Sequence, residues 1–86
     1  MAVALEVCVD TIDGVAAAQA GGAGRVELCA ALSEGGLTPS IGLMAEAAKF
    51  DVPCYAMIRP RAGLFAFSDA EVAVMLADAR AAKAAR

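Results

Sequence analysis

The tetrad LEVC at residues 5–8 returns as VELC at residues 26–29, 21 positions further along the chain, and this repeat decides the fold. Each copy alternates apolar residues with a glutamate and a cysteine, a period of two that is typical of a β-strand. Because alternate side chains of a strand lie on opposite faces, each strand is polar on one face only. The residues expected on this polar face are Glu6, Cys8, Asp10, Arg25, Glu27 and Cys29.

Helix signals follow each strand at regular distances. The predicted elements are a strand over Val3–Val9, a helix over Ile12–Ala20, a strand over Arg25–Cys29, a helix from Pro39 to about Phe50 with Thr38 as its N-cap, a strand over Cys54–Ile58, and a helix that begins after Ser68. Ser68 and Glu71 have the S-x-x-E spacing of a capping box. Strand–helix units at a spacing of roughly 25 residues predict right-handed βαβ units, and hence an α/β protein with a parallel sheet.

The one-sided polarity of the strands favours a closed barrel over an open sheet. An open parallel sheet is covered on both faces and its strands are apolar throughout. In a βα barrel the outer face packs on helices, while the inner face can hold ionised groups near the mouth. The last segment, Ala79–Arg86, is helix-forming to its final residue and has no stop signal, so we expect the barrel to continue beyond it.

Composition and charge exclude several classes of protein. The net charge of −3 and the absence of a basic patch argue against a nucleic-acid partner. The longest uncharged stretches have 11 residues, whereas a membrane-spanning helix needs about 20. The N-terminus has no basic flank, so it does not resemble a secretory signal, and we expect a cytoplasmic protein. The chain has no histidine, so it supplies no Ser–His or Cys–His dyad.

Charged residues are expected at the carboxyl ends of the strands, where βα barrels place their catalytic groups. Arg59 and Arg61 follow the third strand, and Glu6 and Glu27 lie on the first two. One interpretation is an anion site with acid–base chemistry. Its catalytic candidates are Glu6, Glu27 and Arg59, and its substrate-binding candidates are Asp10, Arg25, Arg59 and Arg61. The structural alternative is a buried Glu27–Arg59 ion pair that only fixes the strand register.

Cys8 and Cys29 also have two interpretations. A free cysteine usually acts as a small buried apolar residue. Neighbouring strands lie about 4.8 Å apart, however, so two thiols at matching heights could jointly bind a soft ion such as Cu(I). Cys54 points away from Arg59 and is assigned to packing.

Five blocks of the sequence, in order, resemble the copper homeostasis protein CutC family. They are LEVCVD at 5–10, RVELCA at 25–30, EGGLTPS at 34–40, MIRPR at 57–61 and FSDAE at 67–71. The resemblance covers nearly the whole chain and implies a TIM-type (βα)8 barrel, of which residues 1–86 form one partial domain with the first three βα units. The sequence departs from the family pattern at Gly24, Ala31, the segment 62–64 and Phe67, so its loop after the third strand is less polar than expected.

The resemblance also implies a function. The two strand cysteines proposed as copper ligands in this family fall on Cys8 and Cys29, and the family's polar cluster includes Glu6, Asp10, Arg25, Glu27, Arg59 and Arg61. A cytoplasmic Cu(I)-binding protein of copper homeostasis, dimeric as a complete chain, is therefore our first hypothesis. The second is a TIM-barrel enzyme that acts on a small carboxylate or phosphate, and whether the protein is an enzyme stays open. The third is a truncated chain without activity of its own.

Overall fold

The computed structural model describes residues 3–85 and contains three strands and three α-helices in strict alternation. The elements are β1 (Glu6–Val9), α1 (Ile12–Ala20), β2 (Arg25–Leu28), α2 (Ile41–Ala47), β3 (Cys54–Ala56) and α3 (Asp69–Ala84), with a short 3-10 turn at Leu32–Glu34. The predicted α/β class and the three βα units are confirmed. No helix within residues 3–85 combines the length and apolar character needed to cross a membrane.

The strands form one parallel sheet in the order β1-β2-β3. Glu6 lies opposite Arg25 and Cys8 lies opposite Glu27, which in turn lies opposite Tyr55. This order and direction are those of consecutive units in a βα barrel. The arrangement is consistent with a part of a TIM barrel.

The core lies on one face of this sheet, between the strands and α1 and α2. Its buried side chains are Val9, Val15, Ala18, Val26, Leu28, Met44, Ala47 and Val52, and Cys54 packs against them as predicted. The α3 helix buries no side chain of its own, and a cavity of about 500 Å³ separates its C-terminal half from β3 and the end of α2. On the opposite face of the sheet, which carries the polar residues, none of the three α-helices within residues 3–85 packs.

The observed starts of α1 and α3 agree with the predicted ones, and a side-chain cap is present at each. Thr11 caps α1 by accepting a hydrogen bond from the Gly14 backbone N–H at 3.0 Å. Both halves of the predicted Ser68–Glu71 capping box are present at the start of α3. These motifs are local in sequence, so tertiary contacts do not displace them.

The predicted start of α2 is wrong by two residues. Ser40, and not Thr38, is the N-cap, because its hydroxyl accepts from the Leu43 N–H at 3.1 Å. The hydroxyl of Thr38 instead accepts from the Arg59 N–H at 2.8 Å, which joins the loop before α2 to the segment after β3. The helix also ends at Ala47, before Phe50, and each strand is shorter than predicted, since a sequence pattern marks apolar residues and not the limits of strand pairing.

Candidate functional site

The polar face of the sheet is organised in levels by the strand register. Glu6 and Arg25 form the first level, at the amino ends of the strands. Cys8, Glu27 and Tyr55 form the second level. The ladder continues through hydrogen bonds from the Cys29 N–H to Val9 and from the Met57 N–H to Leu28, so the third level contains Asp10, Cys29 and Met57. The six residues predicted for the polar face therefore do line it, but they do not all lie at the rim, the carboxyl ends of the strands next to Arg59 and Arg61.

The first level is an ion pair distant from the rim. Arg25 Nε donates to Glu6 Oε2 at 2.7 Å, and the Arg25 guanidinium lies over the Tyr55 ring at 5.9 Å. About half of the Arg25 side chain and a third of the Glu6 side chain remain exposed. The expectation that Glu6 and Arg25 meet the rim residues is wrong, because their positions at the start of β1 and β2 place them at the opposite end of the strands.

The two cysteines are offset by one level. Cys8 pairs in register with Glu27, and Cys29 lies one level higher, so the expected matching heights of the two thiols are wrong. The repeat of the tetrads suggested equal heights, but Glu6 pairs with Arg25 and not with Glu27, which shifts the second copy by two residues. Cys8 is exposed, whereas Cys29 is only 1% exposed.

Glu27 links the two thiols. The Cys29 Sγ lies 3.7 Å from Glu27 Oε1, and Cys8 lies opposite Glu27 in the strand register. Burial and the neighbouring charge of Glu27 raise the pKa of Cys29 from 9.0 to about 11. Loss of hydration, with repulsion from Glu27 and Glu6, also raises the pKa of Cys8. Both groups are thus neutral thiols at pH 7, and Asp10 adds to the repulsion at Cys29.

The donor set on this face is rich in sulfur. Within residues 3–85, no three His, Cys, Asp or Glu side chains are grouped so that they could hold a metal ion. A site for a hard divalent cation, which takes six or more oxygen ligands, is therefore not built here. Two thiols on one face fit the chemistry of Cu(I), which prefers soft thiolate and thioether ligands.

Arg59 binds two loops, the one between β2 and α2 and the one between β3 and α3, through their backbone carbonyls. Its Nη1 donates to Glu34 O at 2.6 Å and to Gly36 O at 3.3 Å, and its Nη2 donates to Gly63 O at 3.3 Å. The guanidinium also stacks on Phe65, 4.8 Å from the ring centre. The alternative of a Glu27–Arg59 ion pair is wrong, because among the described residues Arg59 makes no such contact and its terminal nitrogens are occupied by carbonyls.

Arg61 is likewise occupied. It donates to both carboxylate oxygens of Glu71 and to the carbonyls of Leu64 at 2.7 Å and Ala66 at 2.8 Å. Its guanidinium stacks on Phe67 at 4.9 Å. Arg61 therefore folds the loop between β3 and α3, and this geometry does not favour the predicted role in binding an anion.

Sequence reasoning missed two features of the rim. The first is Thr38, whose backbone N–H and hydroxyl both donate to Arg59 O, so that the loop before α2 is held against the end of β3. The second is the stacking of Phe65 and Phe67 on the two arginines. Phe65 follows Arg59 at the same distance in sequence as Phe67 follows Arg61. This equal spacing could have predicted the stacking.

Comparisons with known proteins all point to one family. The model of the CutC family matches residues 3–86. A CutC family protein of Sinorhizobium medicae is 63% identical over 81 residues, which are 94% of this chain and 33% of that protein. The copper homeostasis protein cutC homolog of Mus musculus is 51% identical over 80 residues, which are 92% of this chain and 29% of that protein. The chain thus spans about a third of the length of the curated relatives that it matches.

A solved structure has the same fold. The crystal structure of a CutC protein from Streptococcus agalactiae superimposes with a TM-score of 0.90 at 31% sequence identity. The match covers 99% of this chain and 42% of that one. The arrangement of the three βα units is therefore that of the corresponding part of the solved protein.

Proposed function

The chain belongs to the CutC family, and from this premise we propose that it is part of a cytoplasmic copper homeostasis protein in which Cys8 and Cys29 bind Cu(I). The observation that carries the proposal is the placement of two thiols beside the Glu27 carboxylate, Cys8 opposite it in register and Cys29 Sγ 3.7 Å from its Oε1. Relatives in mouse and human bear the name copper homeostasis protein cutC homolog. Copper binding by the complete protein is itself a proposal, because this chain corresponds to about a third of the length of its relatives.

The electrostatics of the site support a bound cation that displaces protons. Burial, and after it repulsion from the Glu27 carboxylate, raises the pKa of both thiols and keeps them protonated in the absence of metal. A metal ion binds thiolates and releases their protons. The nearby carboxylates then attract the ion. The site therefore holds two neutral thiols without metal and two thiolates when Cu(I) is bound.

The proposed location follows from the same thiols. Cys8, Cys29 and Cys54 are all free, and free thiols persist in the reducing cytosol. A homodimer of the complete family member remains a prediction.

An anaerobic Cu(I) titration against a competing chromogenic chelator tests the proposal. We expect the double variant Cys8→Ser, Cys29→Ser to lose Cu(I) binding at chelator concentrations where the parent chain retains it. Cys54→Ser is the matched control, because Cys54 packs against the core on the other face. Unchanged affinity in the double variant would overturn the copper proposal.

A second candidate function is an enzyme for a small anionic substrate, and one observation favours it. The Nε–H of Arg59 is buried and has no acceptor among the described residues. A buried donor without a partner is costly, so a carboxylate or phosphate oxygen is a suitable occupant. In this candidate function Glu27 and Asp10, on the levels below Arg59, are the acid–base and polar binding groups.

Thermal shifts with a panel of carboxylate and phosphate metabolites test this second candidate. An anion held by Arg59 should stabilise the parent chain and not Arg59→Lys, which keeps the charge but loses the Nε–H. A ligand that stabilises both chains equally would mean that Arg59 is not the anchor.

A further inference from the structure

Met57 lies on the same level of the polar face as Cys29. The Met57 N–H donates to Leu28 O at 2.9 Å, which extends the β3 ladder by one residue and sets Met57 beside Cys29. Side chains two residues apart share a face, so Met57 follows Tyr55 toward the rim. Met57 is half-buried.

The position of Gly36 shows that the side chains of Cys29 and Met57 approach the same point. A Cβ built on Gly36 would lie 3.2 Å from Cys29 Sγ and 3.6 Å from Met57 Cε. The thiol and the end of the thioether side chain therefore border the same point in space. Gly36 is buried and has a φ of 96°, so the turn that closes over both side chains needs a glycine.

The chemistry of a thioether suits this environment. Two thiolates beside the Glu27 carboxylate already carry more negative charge than one Cu(I) ion neutralises. A further acidic ligand would add repulsion, whereas methionine is a neutral soft donor that needs no deprotonation. Thioether sulfur is also a preferred ligand class for Cu(I).

We propose that the Met57 thioether is a third sulfur ligand of the Cu(I) site formed by Cys8 and Cys29. This inference rests on the proposed function and extends it by naming a ligand. The ion would then be held by one sulfur donor from each of β1, β2 and the end of β3.

Chelator competition with matched methionine variants tests the assignment. We expect Met57→Leu, which preserves size and apolar character, to weaken Cu(I) binding by about tenfold or more, as loss of a supporting group typically does. Met75→Leu is the control, because Met75 is also half-buried but lies on α3. If Met57→Leu binds as the parent does while Cys8→Ser, Cys29→Ser loses binding, the third ligand is overturned and the copper proposal stands. If the cysteine variant binds normally, both are overturned.

X-ray absorption at the copper edge gives a readout that a folding defect does not mimic. In selenomethionine-labelled chain loaded with Cu(I), a Met57 ligand produces selenium scattering in the first copper shell. That signal should vanish in labelled Met57→Leu and persist in labelled Met75→Leu. A first shell that contains sulfur and no selenium would overturn the proposal, and a selenium signal that survives Met57→Leu would do the same.

Discussion

Arg61 and Glu71 form a two-point ion pair that ties the loop after β3 to the first turn of α3. The guanidinium donates through Nε to one carboxylate oxygen and through Nη2 to the other, the latter at 3.2 Å. The same Glu71 oxygen accepts the Ser68 N–H at 3.0 Å and completes the capping box. Glu71 therefore serves the helix and the loop together, which links the loop after β3 to α3, a helix that buries no side chain of its own.

Separate variants should distinguish the two roles of Glu71. Glu71→Gln keeps a capping-box acceptor but loses the charge, so we expect faster hydrogen exchange in the loop 61–67 with little change in the first turn of α3. Ser68→Ala removes the cap and should destabilise α3 by about 1 kcal/mol. Mass-spectrometric hydrogen exchange measures both regions. Equal effects of the two variants on the loop would contradict the role of the ion pair.

The same ion pair predicts a loss of stability in acid. The hydrogen bond from Arg61 lowers the pKa of Glu71 below its ordinary value of 4.5. A carboxyl whose folded pKa is depressed contributes stability that is fully present above the unfolded pKa. That contribution disappears as the pH falls through the lowered folded value. Loop exchange in the parent should therefore increase below pH 4.5, whereas Glu71→Gln should lack this component.

Gly36 and Gly42 form a matched pair for testing the turn over Cys29. Gly36→Ala forces a side chain onto a φ of 96° and against Cys29 Sγ at 3.2 Å, so we expect a loss of roughly 1–3 kcal/mol in unfolding free energy. Gly42 lies inside α2 with only Ser40 Oγ near its Cβ position, at 4.0 Å, and Gly42→Ala should stabilise by on the order of 0.5–1 kcal/mol. Urea unfolding at one fixed protein concentration measures both. A neutral Gly36→Ala would show that the turn is not sterically constrained.

Alkylation should separate the three thiols. Cys29 is 1% exposed with a pKa near 11, and this shift from 9.0 means an about hundredfold smaller thiolate fraction at neutral pH. Iodoacetamide should therefore modify exposed Cys8 first and Cys29 last, as read by peptide mass spectrometry. Bound Cu(I) should protect Cys8. Rapid modification of Cys29 at pH 7 would contradict its burial.

Copper affinity should increase steeply with pH. Each thiol that binds the ion releases a proton, because the pKa values of Cys8 and Cys29 are both raised above 9.0. At pH values below both of these pKa values, the release of two protons predicts an association constant that rises by up to about a hundredfold per pH unit. Chelator competition between pH 6 and 8 measures the slope. A slope of one proton would indicate that a single cysteine binds the metal.

The 86-residue chain should self-associate in solution. Within residues 3–85, the outer edges of β1 and β3 have no strand partner, and unpaired edges are templates for intermolecular pairing. Leu64 and Phe65 are 81% and 74% exposed, and Ile41 on α2 is 68% exposed. Light scattering coupled to size exclusion should report species larger than a monomer. A monomer that unfolds in one cooperative transition would contradict this prediction.

The sequence alone determined the order of elements and the sidedness of the sheet. Alternation in the LEVC and VELC tetrads predicted which face is polar, and the Ser68–Glu71 capping box predicted the start of α3. These signals depend on residues close in sequence, where side-chain period and capping geometry act directly. The family resemblance was also available from short blocks in order, and the family match over residues 3–86 confirms it.

Only the tertiary structure decided which groups meet. Register placed Glu27, and not Cys29, opposite Cys8, because strand pairing depends on the connecting segments and not on the repeat itself. The sequence predicted Arg59 and Arg61 as anion-binding groups, or Arg59 as a partner of Glu27, but each is bound to carbonyls or to the Glu71 carboxylate from residues up to 25 positions away. The Thr38 hydroxyl hydrogen-bonds the Arg59 backbone, and Ser40 caps α2 in its place. The common reason is that long-range hydrogen bonds and packing select among polar groups that local sequence leaves equivalent.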